Sequence, residues 1–274
     1  MRRLIRAVAV AGLVVVIGAC STTDPPGPTS PPYRATSAYA SASASSTPSA
    51  APCDRTVVAL DPGHNPVTVD GFDPVTGVRQ VDYPNGAEDR DVFLVAQRVR
   101  AALSGVGYRV VLLKRSVREN VTYRQRVERA RAAGADIAVS IHTSPGVNAV
   151  FPQRVGLYRE GTGADGEHLR VVFTNRATAV RSQRYARLIA ARRTAIEGHP
   201  VAVTDNDFGG RAPLWSGNIP VIALIADDTP WVYNEFGTAG AGGSIAVPRS
   251  RLEDYARGLT AGVRAAVPVC AVSR

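Results

Sequence analysis

The chain predicts an α/β domain built on a mostly parallel sheet. Short apolar runs alternate with helical segments along it. Two of these runs, Thr56 to Leu60 and Ile137 to Ile141, are nearly free of polar residues, as strands covered on both faces should be. Apolar residues recur at helical spacing between them, and glycines and prolines punctuate the joins.

Thr56 to Leu60 is the first predicted strand, and it runs straight into Asp61-Pro62-Gly63-His64. The segment from Asn65 to Ala87 holds Pro66, Gly71, Pro74, Gly77, Pro84 and Gly86, which predicts a loop long enough to have a function. A helix is expected over Asp89 to Leu103, with Val92, Val95, Ala96, Val99, Ala102 and Leu103 on one face. The acidic Glu88, Asp89 and Asp91 stand at its start, where the helix dipole favours them. Tyr108 to Leu113 is the next strand. Val121 to Ala133 is a second helix, with Asn120 as N-cap and Gly134 as its stop. Ile137 to Ile141 follows as a buried strand ending at His142. Val155 to Tyr158 and Val171 to Phe173 are weaker strands. Ser182 to Ile196 reads as a helix, Pro220 to Ala226 as a buried strand, and Arg251 to Val267 as a closing amphipathic helix.

The ends of the chain differ in kind. Residues 1–20 carry Arg2, Arg3 and Arg6, then the apolar run Val8 to Ile17, then small residues, which is the pattern of a secretory signal. That run is too short to span a bilayer, which takes about 20 residues. Ile17-Gly18-Ala19-Cys20 looks like a lipoprotein processing box, so Cys20 is expected to be lipidated and to anchor the exported protein on a membrane. Residues 21–52 are rich in Ser, Thr, Ala and Pro and cannot offset their ordering entropy by burial, so they read as a tether. Residues 53–274 then form the folded domain. Cys53 and Cys270 stand at its two ends, in a compartment that permits disulfides, and are expected to pair. The formal charge is +9, three units of which lie in the leader, and Lys114 is the one lysine. With export, a basic surface points to cell-envelope polymers rather than nucleic acid. There is no aromatic-studded RNA motif and no C-x-x-C pattern, and no nucleotide cofactor is expected.

Open α/β sheets build their sites beyond the carboxyl ends of strands. His64 and His142 each end a predicted strand, and Glu88 opens a helix. Catalytic zinc takes three such ligands and keeps a fourth position open. The surrounding residues narrow this further. VALDPGH (58–64) is followed by Glu88 with Phe93, Ala96 and Val99 behind it, then VVLLKR (110–115). Val121, Tyr123 and Arg126 come next, and then ADIAVSIH (135–142). These five ordered segments resemble the zinc-dependent N-acetylmuramoyl-L-alanine amidases of the amidase-3 group. Val155 to Tyr158, Ser182 with Tyr185-Ala186, and Pro220 to Leu224 fit more loosely.

The resemblance implies a twisted six-stranded, mostly parallel sheet flanked by helices. It implies one Zn²⁺ ion on His64, Glu88 and His142. It makes peptidoglycan the substrate, cut between N-acetylmuramic acid and the L-alanine of the stem peptide. Arg115 and Arg126 match family positions and read as ion-paired scaffold.

One position departs from the family. A general-base glutamate is expected five residues after Pro220, and Ile225 stands there. If Pro220 to Ala226 is a strand, Asp227 points to the same side as Ile225 and Asp228 points away. Asp227 is therefore the expected base and Glu235 a more distant candidate. The alternative is a zinc-bearing relative that binds peptidoglycan, or regulates another hydrolase, without cutting. A scaffold with no metal is the remaining class.

Overall fold

The computed structural model describes residues 56–206 and 215–269. The expectations on the leader, the tether, Cys20, Cys53 and Cys270 lie outside the described residues. β1 (Val57–Pro62) leads into a hairpin of β2 (Val69–Phe72) and β3 (Arg79–Asp82). α1 (Glu88–Ser104), β4 (Arg109–Leu112), α2 (Tyr123–Ala132) and β5 (Ile137–Thr143) follow. Then come β6 (Ala149–Pro152), β7 (Tyr158–Thr162), β8 (His168–Val172) and the long α3 (Arg176–Glu197). β9 (Ala202–Val203), β10 (Trp215–Gly217), the short α4 (Val221–Ile225), β11 (Trp231–Phe236) and α5 (Arg249–Ala266) complete the order.

The main sheet has six strands in the order β4-β1-β5-β11-β6-β9. Every pairing in it is parallel except β11 with β6. This is the predicted α/β architecture, a six-stranded mostly parallel sheet with helices on both sides. β7 and β8 form an antiparallel pair extended by β10, outside the main sheet.

Alternation along the central strands sorts two cores. Val58, Leu60, Ile137, Val139 and Ile141 face one side, against apolar residues of α1, α3 and α5. Ala59 and Ala138 face the other, against α2, α4, Trp215 and Trp231. Small residues at those two positions leave room for the tryptophans. Ser140, on the same face, donates to Asp61 Oδ2 at 2.7 Å and accepts from Trp231 Nε1 at 2.7 Å.

Three expectations need correction. Pro220 to Ala226 is not a strand. Its middle is α4, a single helical turn with Leu224 N–H bonded to the Pro220 carbonyl at 3.0 Å. Ile222 to Ala226 are all buried. A short apolar run buried on every side carries no period that separates helix from strand. The strand that enters the sheet is β11, after Pro230. The second correction is α2, which begins at Thr122 rather than Asn120: Thr122 and Gln125 form a reciprocal capping box. Finally, the loop after His64 is not wholly irregular, since it contains the β2–β3 hairpin.

Candidate metal centre and active site

β1 and β5 run side by side and end at the same edge of the sheet, so His64 and His142 emerge as neighbours. Gly63 makes the approach possible. A Cβ at Gly63 would lie 2.1 Å from the His142 ring, and the Gly63 N–H bonds to the Ile141 carbonyl at 3.0 Å. His64 then takes φ of 64°. That left-handed conformation costs an L-residue about 1–2 kcal/mol and swings the ring over the end of β5.

Glu88, the first residue of α1, enters between the two rings. His64 Nε2 lies 3.0 Å from Glu88 Oε2, and His142 Nδ1 lies 3.2 Å from Glu88 Oε1. One ligand atom from each of His64, Glu88 and His142 falls within 4.8 Å of the others. The carboxylate is held from outside by the Thr143 N–H at 2.7 Å and by the Asn85 amide. Burial works to raise the Glu88 pKa, but the two imidazoles outweigh it and hold the carboxyl far below its usual range. His64 is pushed up to about 10: burial opposes its charge, and the hydrogen bonds and charges of Asp82 and Glu88 overcome that.

The donor set fits a metal ion. His64 Nδ1 lies 3.1 Å from the Tyr83 carbonyl oxygen, with Asp82 Oδ1 at 3.5 Å. A ring whose Nδ1 carries the proton presents a lone pair at Nε2. Nε2 faces a carboxylate oxygen at 3.0 Å, so positive charge belongs there, supplied either by a proton on the ring or by a bound cation in its place. A second carboxylate close to the ring adds to the demand for positive charge. Two neutral imidazoles and one carboxylate are a zinc donor set.

A further carboxylate stands beside these three. On β11, Glu235 is directly opposite His142 of β5, so both side chains leave the same face of the sheet. Glu235 is buried, and its Oε2 has no hydrogen-bond partner among the described residues. Burial is the main cause that lifts its pKa, to about 7, with Glu88 adding to the rise and His142 opposing it. A buried carboxylate with a raised pKa and one oxygen left without a hydrogen bond, beside a cluster of ligands, is the form expected of a general base.

Asp227, the expected base, lies elsewhere. It is exposed, four residues before Trp231, and Trp231 pairs with Ala138 near the start of β5. At about 3.3 Å per residue, Trp231 is already roughly 13 Å along the strand from Glu235. Asp227 would share a face with Ile225 only on a strand over 220–226, and the chain forms α4 there instead. Asp228 pairs with Arg131 on the surface, and Ile225, the last residue of α4, packs into the core. Glu235 was visible in the sequence as the acidic residue of a Trp231 to Phe236 run.

Arg126 is scaffold, as expected. It is fully buried and reaches Asp61 Oδ1 and the Pro62 carbonyl at 2.9 Å each, and the His64 carbonyl at 2.8 Å. Arg115 donates its backbone N–H to Glu119 at the turn after β4. A cavity of about 190 Å³ opens beside the rings, lined by His64, His142, Tyr83, Tyr123, Arg159 and Trp215 among others. The Tyr233 ring stacks on His142 at 4.3 Å and forms part of its wall.

A mostly parallel α/β sheet thus carries at its carboxyl edge a His/Glu/His group that could hold a metal ion. Residues 58–200, more than half of the chain, match the Amidase_3 family, N-acetylmuramoyl-L-alanine amidase. The chain belongs to that family. His64, Glu88 and His142 fall inside the matched segment, and Glu235 falls beyond it. No curated protein matches the sequence.

Among solved structures, the N-acetylmuramyl-L-alanine amidase Ami1 of Mycobacterium smegmatis is similar in fold, with a TM-score of 0.52 at 17% identity. The alignment covers 76% of this chain and 94% of that one. Ami1 of Mycobacterium abscessus gives 0.49 at 16% identity over 77% and 98%. The catalytic domain of CwlV, from Bacillus (Paenibacillus) polymyxa, gives 0.49 at 16% over 76% and 96%.

Proposed function

We propose that the protein is a zinc-dependent peptidoglycan hydrolase that cleaves the amide between N-acetylmuramic acid and the L-alanine of the stem peptide, with Glu235 as general base and acid. The observation that carries this reading is the meeting of His64 Nε2 and Glu88 Oε2 at 3.0 Å with the buried Glu235 on the neighbouring strand. Zinc on His64, Glu88 and His142 supplies a Lewis acid that acidifies water and polarises an amide carbonyl.

The chain's own residues do the rest. Glu235 Oε2, with no hydrogen-bond partner among the described residues, takes the proton from the attacking water as its oxygen adds to the carbonyl carbon. The same carboxyl then gives that proton to the alanine nitrogen as the C–N bond breaks. The products are a lactyl carboxylate on the glycan and a free α-amine on the stem. The aromatic walls of the cavity, Tyr83, Tyr123 and Trp215, shield the reacting amide from bulk water. The impaired-relative alternative rested on Ile225, and the buried Glu235 beside the ligand cluster supports the hydrolase reading over it.

Export, lipid anchoring at Cys20 and a tether over 21–52 belong to the same reading, supported by the leader pattern and by a family that acts on the cell wall. No helix among the described residues is long and apolar enough to cross a membrane; the proposed anchor, a lipid on Cys20, rests on the leader pattern alone. The test of activity is digestion of purified muropeptides followed by mass spectrometry. Glycan with a free lactyl group and stem peptide beginning at L-alanine are expected, lost on chelation and restored by zinc. Muropeptides left intact by zinc-loaded protein would refute the proposal.

A further inference from the structure

We propose that Lys114 is a positioning residue for the metal centre: its buried ammonium group, with Arg126, clamps the carbonyl of His64 and holds that ligand in its left-handed conformation. The inference rests on the zinc reading above. Lys114 Nζ donates to the His64 carbonyl at 2.7 Å, and Arg126 Nη2 donates to the same oxygen at 2.8 Å. The direction of that carbonyl fixes the second backbone torsion of His64. His64 is also the one non-glycine residue with positive φ among the described residues. Two cationic donors on a single carbonyl oxygen therefore act where the backbone is least favourable by itself.

The two cations are not equivalent. Arg126 is neutralised in place by Asp61 at 2.9 Å and Asp82 at 3.3 Å. Lys114 is just as buried, yet no carboxylate lies within ion-pair distance of it among the described residues. Asp89, Asp82 and Asp61 act on it only at longer range, while burial and Arg126 work against its charge. A buried ammonium group is costly, and an apolar side chain would fill the end of β4 without that cost. What Lys114 supplies that an apolar residue cannot is the bond to His64. Partners behind a metal ligand typically tune metal affinity by 10–100-fold.

The test compares zinc binding by the wild type, Lys114→Met and Lys114→Gln in competition with a chromophoric chelator. The visible absorption of each cobalt-substituted protein is measured alongside. Lys114→Met, close in volume and without a donor, is predicted to bind zinc about 10–100-fold more weakly and to show an altered cobalt spectrum. Lys114→Gln, shorter and neutral, is predicted to lose part of the affinity. A folded Lys114→Met protein with wild-type affinity and spectrum would overturn the clamp. Should Lys114→Met fail to fold, Lys114→Gln decides, and wild-type values there overturn it. Wild-type protein that takes up no zinc removes the metal centre and the clamp together. Zinc binding without hydrolysis leaves the clamp to be judged on the affinities alone.

Discussion

At Gly63 and His64, one absent Cβ and one unusual torsion bring two strand ends onto a shared ligand cluster. Gly63 packs its backbone against the His142 ring, and a methyl group there would collide with it. Gly63→Ala is expected to cost about 1–3 kcal/mol of stability through overpacking and to separate the two imidazoles. Thermal unfolding of the apo-protein and zinc titration check the two effects separately. The motif around His64 was legible in the sequence because the chemistry and the turn are encoded by neighbours in the chain. The proposed base was legible only as a distant candidate. Glu235 owes its place to a register, Glu235 opposite His142, and to burial that leaves one oxygen without a hydrogen-bond partner among the described residues. Neither is written in local sequence, and counting from Pro220 led to Ile225 and then to Asp227.

The β2–β3 hairpin is tied to α2 through a charged contact. Arg124 donates from Nε and Nη2 to the two oxygens of Asp73 at 2.7 and 2.6 Å, and Thr76 donates to Asp73 as well. Burial works to raise the Asp73 pKa, but Arg124 and Thr76 outweigh it and hold the carboxyl below its ordinary value. The folded state thus favours ionised Asp73. Its contribution is complete above the unfolded carboxyl pKa, about 3.9, and is lost as pH falls through the lower folded value. Hydrogen exchange across residues 69–82 is expected to quicken at acid pH below that range, and Asp73→Asn should reproduce the change at neutral pH. Unaltered exchange in Asp73→Asn would show that the hairpin is held by other contacts. The helices α1, α3 and α5 were legible because their periods are clear, and the strands β1, β4 and β5 because their short apolar runs are bounded by turn residues. α4 and β11 were confused because a fully buried apolar run has no wet face to reveal its period.

Over the whole molecule, the parallel core gathers the carboxyl ends of β1, β5 and β11 at one edge and so assembles residues from three distant parts of the sequence. The described ends of the domain also meet: the Thr56 hydroxyl donates to the Pro268 carbonyl at 3.4 Å. Cys53 lies three residues before one and Cys270 two residues after the other, which supports the proposed disulfide. Thiol titration of exported, denatured and non-reduced protein is expected to find neither cysteine free. Two titratable thiols per domain would remove the staple.

The central claim is that hydrolysis depends on Glu235 acting beside a zinc centre of His64, Glu88 and His142. Its most direct test is the rate of muropeptide cleavage by zinc-loaded wild type, Glu235→Gln and Asp227→Asn, with the metal content of each determined. Full zinc is expected in all three, with a fall of about 10²–10⁴-fold in kcat for Glu235→Gln and a rate near wild type for Asp227→Asn. Wild-type turnover in zinc-loaded Glu235→Gln, or its loss in Asp227→Asn, would contradict that claim.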